Sequence, residues 1–185
     1  MTMTARQAVY IPDDLAGTAT PWGDVVTEVL AASLSAGALC CLSVRLSTAT
    51  NRPAYVHHRC DEAVYVLSGP VTITVGERRL AGLELGACVY IPRGLSRSFS
   101  TDSAGARLLI VQTPAEELDE ALAALAHDTG LDRSGGPFQP SAQLIQALGA
   151  SGVELIFQPE RPATSEPTPL VTQGCQPTRE EPRIP

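Results

Sequence analysis

Pro53-Ala54-Tyr55-Val56-His57-His58-Arg59-Cys60-Asp61-Glu62-Ala63-Val64-Tyr65-Val66-Leu67-Ser68-Gly69 is the stretch of this 185-residue chain whose reading decides the fold. It is rich in Val and Tyr, which suit a pleated surface, and it runs into Ser68-Gly69-Pro70, a strong turn signal. Alternate side chains of an extended strand share a face, so Tyr55 belongs with His57 while His58 points the other way. Beyond the turn, Val71-Thr72-Ile73-Thr74-Val75 alternates as a half-buried strand does, and Gly76-Glu77 ends it tightly.

Moving outward, the same pattern repeats. Val25–Ala32 and Ala38–Leu46 flank the turn-like Ser35-Ala36-Gly37. Arg78–Leu83, Ala87–Ile91, Arg97–Ser100 and Arg107–Gln112 follow at short, regular spacing. About eight short strands with almost no helix between them imply an all-β barrel or sandwich. Helical signals come only afterwards. Thr113-Pro114-Ala115-Glu116 has the form of an N-cap, a proline at the first helical position and a capping-box glutamate. Leu118, Leu122 and Leu125 then recur at helical spacing up to Gly130. A second short helix is expected over Ser141–Leu148, and a last strand over Val153–Phe157. The organisation expected is a lead-in segment over 1–20 with a short apolar stretch at Val9–Pro12. A barrel with C-terminal helices follows over 21–160. From 161 to 185 Pro, Thr, Glu and Gln dominate, a composition that buries too little apolar area to offset chain entropy, and a disordered tail is expected.

Composition narrows the function. Apolar residues make up 44% and charged residues 18%, as in an ordinary globular chain long enough to bury about two-thirds of its unfolded surface. The net charge of −7 opposes nucleic acid and anionic membrane surfaces, since no basic patch is available to neutralise phosphates. The N-terminus lacks a signal-peptide pattern, and no stretch is long and apolar enough for a membrane span. Five cysteines without CxxC spacing read as free thiols, which together with the N-terminus gives a cytoplasmic expectation.

The quoted stretch resembles the first motif of the cupin superfamily, two histidines one residue apart followed by a glutamate and a glycine turn. His57 and Glu62 are separated by four residues, and Glu62 and Gly69 by six, as that motif requires. Gly86-Ala87-Cys88-Val89-Tyr90-Ile91-Pro92-Arg93-Gly94 resembles the second motif in its glycine–five residues–proline–x–glycine spacing, sixteen residues downstream. The resemblance covers roughly residues 20–158 and is to small bacterial cupins of the quercetin-dioxygenase-like type. It implies an all-β jelly-roll (double-stranded β-helix) barrel with short C-terminal helices.

In that family three histidines and one glutamate hold a metal inside the barrel. Carried over position by position, the first histidine is Tyr55, the second is His57, the glutamate is Glu62, and the second-motif histidine is Arg97. A guanidinium stays protonated and has no lone pair for a metal. Arg97 is instead expected to pair with Glu62 across the barrel, supplying the positive charge a cation would supply. His57 is then the candidate general base and Tyr55 a hydrogen-bond donor, each set against a plain packing role. Phe99, on the same face as Arg97, is expected to line the pocket, with Tyr65 and Tyr90 as further pocket candidates.

Three functions fit this pattern. The first is a metal-independent enzyme acting on a small organic molecule, a cyclase or isomerase in bacterial secondary metabolism. It would use His57 and Tyr55 for acid–base chemistry and Arg97 for anion stabilisation, with no cofactor. The second is a quercetinase-like dioxygenase whose divalent transition metal is held by His57, Glu62 and an inward-swung His58. The third is a non-catalytic small-molecule binder. A homodimer is expected, with Ala38–Leu46 as an edge available for pairing.

Overall fold

The computed structural model describes residues 15–48, 52–102, 105–128 and 139–156. Val9–Pro12, Gly130, Phe157 and the tail from Arg161 lie outside these residues. Eleven strands are formed among the described residues: β1 (Thr18–Ala19), β2 (Val25–Leu30), β3 (Cys40–Arg45), β4 (Ala54–His57), β5 (Asp61–Ser68), β6 (Val71–Val75), β7 (Arg78–Leu83), β8 (Cys88–Ile91), β9 (Ser96–Ser100), β10 (Arg107–Thr113) and β11 (Val153–Ile156). A 3₁₀ turn spans Ala32–Ser35, and two helices, α1 (Asp119–His127) and α2 (Ala142–Ala150), precede the last strand. The strands assemble into a six-stranded sheet, β1-β2-β3-β10-β5-β8, and a five-stranded sheet, β11-β4-β9-β6-β7. All pairings are antiparallel.

Period-2 patterning builds the core between the sheets. Val64 and Val66 of β5, Ile73 of β6, Ile91 of β8 and Leu108 of β10 are buried in one cluster. Intervening residues face outward: Tyr65 between Val64 and Val66 is 39% exposed, and Tyr90 beside Ile91 is 62% exposed. A second cluster joins Ala121, Ala124 and Leu125 of α1 to Leu144 and Leu148 of α2, with Val153 and Leu155 of β11 packed against it. The helices therefore close one side of the sandwich. No helix among the described residues is long and apolar enough to cross a membrane.

Two expectations are corrected here. Thr113 does not cap a helix: it is the last residue of β10, opposite Asp61, and its hydroxyl donates to Ala38 O. The β10 ladder and this bond hold the segment extended, and α1 begins only at Asp119. Ala38–Leu46 is not an edge, because β3 lies between β2 and β10. The second helix starts close to where its sequence indicates, with the Ser141 hydroxyl accepting from Leu144 N as N-cap.

Candidate active site

Strand register gathers the polar side chains. On the six-stranded sheet Cys40, Gln112 and Glu62 lie opposite one another on β3, β10 and β5. On the other sheet Tyr55 of β4 lies opposite Arg97 of β9, with His57 two residues further along β4. Facing across the sandwich, these two rows bring Tyr55, His57, Glu62 and Arg97 together.

At the centre Arg97 Nη1 lies 2.7 Å from Glu62 Oε2, and neither side chain is measurably exposed. The contact is an ion pair rather than an aligned hydrogen bond, since neither Nη1 nor Nη2 of Arg97 has a hydrogen-bond partner among the described residues. Arg97 Nε donates to Leu95 O, and its guanidinium carbon stands 5.5 Å from the centre of the Tyr55 ring. The Tyr55 hydroxyl donates to Glu62 Oε2 at 3.4 Å, near the outer limit for such a bond.

Gln112 connects this pair to His57. Its amide nitrogen donates to Glu62 Oε1 at 2.9 Å and lies 3.0 Å from His57 Nε2, while its oxygen accepts from Cys40 Sγ at 3.1 Å. A carboxylate only accepts hydrogen bonds, so Glu62 sets the orientation of the amide. The second amide hydrogen then meets His57 Nε2, which must accept. The neutral imidazole consequently carries its proton on Nδ1 and directs it at Cys60 Sγ, 3.0 Å away. Burial pushes the Cys60 thiol up to about 12, which keeps it protonated and uncharged.

Burial also lowers the affinity of His57 for a second proton, outweighing the opposing pull of Glu62. Glu62 Oε1 is 3.5 Å from His57 Nε2, but Arg97 already neutralises much of its charge. Burial likewise holds the Tyr55 hydroxyl well above its ordinary value, so it remains a donor. As pH falls, the unfolded chain takes up the histidine proton first. The contribution of neutral His57 to stability is thus complete above about pH 6.5 and is lost progressively below it. Melting curves from pH 7.5 to 5 should show the wild type losing more stability than His57→Gln. Parallel losses would contradict the lowered proton affinity.

His57, Tyr55 and Gln112 form one end of a cavity of about 140 Å³. Leu42, Val44, Phe99 and Ile110 wall it from the barrel, and Leu118 and Leu122 cover it from the helical side. Trp22 and the buried pair Asp24 and Arg52 also line it, with Asp24 accepting from the Trp22 indole and the Arg52 guanidinium. Arg52 also donates to Phe99 O and Ser47 O.

Of the residues singled out from sequence, Tyr55, His57 and Phe99 line this cavity, while Glu62 and Arg97 stand behind it. Tyr65 and Tyr90 are outside the site, a correction that follows from strand alternation, and the Tyr90 hydroxyl donates to Asp61. His58, considered as a substitute ligand, faces outward with Nε2 2.8 Å from Glu154 Oε2. Gln112 belongs to neither motif and is not among the residues singled out. It does carry a signal: in Leu108-x-Ile110-x-Gln112 it is the polar residue on an otherwise apolar inward face. Among the described residues, no group of three or more His, Cys, Asp and Glu is placed to hold a metal ion.

No family profile matches the sequence, and no curated protein matches it. Solved structures do. KdgF from Halomonas sp. is 14% identical, with 59% of this chain covering 96% of that one at a TM-score of 0.50. A sugar phosphate isomerase from a cupin superfamily, from Silicibacter pomeroyi, is 18% identical over 57% of this chain and 75% of its own, at a TM-score of 0.48. A Streptomyces nucleoside dehydratase is 10% identical over 61% and 88%, also at 0.48. At such identities the likeness concerns architecture alone. The two antiparallel sheets and two short C-terminal helices make this chain an all-β protein of cupin fold.

Proposed function

We propose that the chain is a metal-independent enzyme that moves a proton on a small organic molecule, in a reaction of the cyclase or isomerase type. The observation that carries this reading is the placement of a neutral imidazole, with Nε2 as acceptor, on a cavity whose surface is mostly apolar. A base in such a place is desolvated, and its Nε2 needs only to exchange the Gln112 amide for a substrate proton.

The donor set does not fit the transition metal that cupins commonly hold. At the four ligand positions stand Tyr55, His57, Glu62 and Arg97, and the last is a cation whose Nη1 is already 2.7 Å from Glu62. A metal ion at this place would face the guanidinium at close range with one imidazole and one carboxylate as strong ligands. In the proposed step His57 Nε2 takes a proton from carbon, and the bonding electrons move to an adjacent carbonyl oxygen. Tyr55 or Gln112 donates a hydrogen bond to that oxygen, and the proton returns to carbon at the same or a neighbouring position. Glu62, 3.5 Å from Nε2, favours the imidazolium formed on the way. Arg97 acts through Glu62 rather than on the substrate, which revises the anion-binding part assigned to it from sequence.

Solvent deuterium uptake tests this with simple surrogate substrates. Enolisable ketones and phenols of graded size, incubated with the protein in D₂O, should acquire deuterium at carbon with chelator-treated protein. Exchange that disappears on chelation and returns with added iron, nickel, manganese or copper would overturn the reading in favour of a metal-dependent enzyme.

A further inference from the structure

We infer that the chamber between the barrel and α1 selects an uncharged molecule of about single-ring size that carries a hydroxyl or carbonyl, and rejects anions of the same size. The inference deepens the reading above and rests on it for the end of the ligand that meets His57. Size comes first. The cavity measures about 140 Å³, and an apolar protein cavity of about 150 Å³ admits benzene. A fused-ring molecule would exceed this room and have to protrude from its open side.

Charge comes second. Leu42, Val44, Phe99, Ile110, Leu118 and Leu122 make most of the wall apolar, so a charged group entering among them loses hydration that they do not replace. Arg97 does not line the chamber and is paired with Glu62 behind Tyr55. Arg52 does line it, but its guanidinium is engaged with Asp24, Phe99 O and Ser47 O. Asp24, beside it, adds a negative charge that accepts from Ser47 N as well. Neither guanidinium is therefore presented to an incoming carboxylate. The polar end offers one acceptor, His57 Nε2, and two donors, the Gln112 amide and the Tyr55 hydroxyl. A neutral hydroxyl or carbonyl satisfies either kind of group, whereas a carboxylate would confront the lone pair of Nε2 and the nearby charge of Glu62.

Phenol and benzoate, neutral and anionic at pH 7, are suitable probes of matched size. Titrated into the full chain and followed by NMR, phenol should bind at least tenfold more tightly than benzoate and shift the His57 ring signals. Leu122→Trp, which fills the chamber, should abolish that binding, with Leu122→Phe as the substitute if the first variant does not fold. Benzoate binding as tightly as phenol, or phenol binding unchanged in the filled variant, would overturn the inference. Absence of phenol binding with deuterium exchange intact on larger ketones would overturn this inference alone. Phenol binding without exchange on any ketone would support it while removing the catalytic reading.

Discussion

Replacing Arg97 by methionine is expected to destabilise the fold by about 3–5 kcal/mol, the usual cost of leaving one member of a buried ion pair alone. For a chain of this size that corresponds to a fall of roughly 6–20 °C in melting temperature. The reason lies in what remains around Glu62. Its side chain is fully enclosed, and without Arg97 the donors left to it among the described residues are the Gln112 amide and, through a long bond, Tyr55. Two such donors do not replace a cation in a low-dielectric interior. The double variant Glu62→Gln with Arg97→Met removes both charges and should recover most of the loss. Denaturant unfolding of the two single variants and the double variant measures the coupling directly. Single variants within about 1 kcal/mol of wild type would show that water reaches the pair and screens it.

The second large effect concerns turnover. His57→Gln should reduce the deuterium-exchange rate by about 10²–10⁴-fold, the range general bases ordinarily contribute. A purely structural histidine would behave differently, lowering the melting temperature while exchange per folded molecule stayed constant. Gln112→Leu separates base from positioning residue. Without its amide, His57 loses the partner that holds Nε2 as acceptor, and Nε2 can carry the proton instead. Exchange should then fall less than in His57→Gln, with a changed pH profile and altered imidazole nitrogen shifts. Unchanged imidazole shifts in Gln112→Leu would show that Cys60 alone sets the tautomer.

Much of the barrel could be read locally. The Pro53–Gly69 and Gly86–Gly94 segments combine turn residues with period-2 apolar spacing, and both features depend only on near neighbours. The second helix was legible for the same reason, since Ser141 caps it through a residue three positions away. Thr113-Pro114 misled because its cap-like pattern competes with a β ladder whose partners lie more than fifty residues earlier, at Asp61 and Ala38. Tyr65 and Tyr90 misled in another way. Proximity to the motifs suggested the pocket, but strict alternation with Val64, Val66 and Ile91 turns them outward.

The Glu62–Arg97 pair was accessible because both residues occupy known inward positions of the resembled family. Gln112 was not, since no motif contains it, although alternation placed it on an inward face. Its role comes from lying beside Glu62 on a neighbouring strand and across the sandwich from His57. By itself, then, the sequence determined most of the strands, the turns and the replacement of two expected histidines by Tyr55 and Arg97, though not β1. Only the tertiary structure decided that Gln112 sets the proton position on His57, that Arg97 sits behind the cavity, and that α1 lines one side of it. These relations join strands and helices far apart along the chain, and sheet order and packing, rather than local spacing, create them.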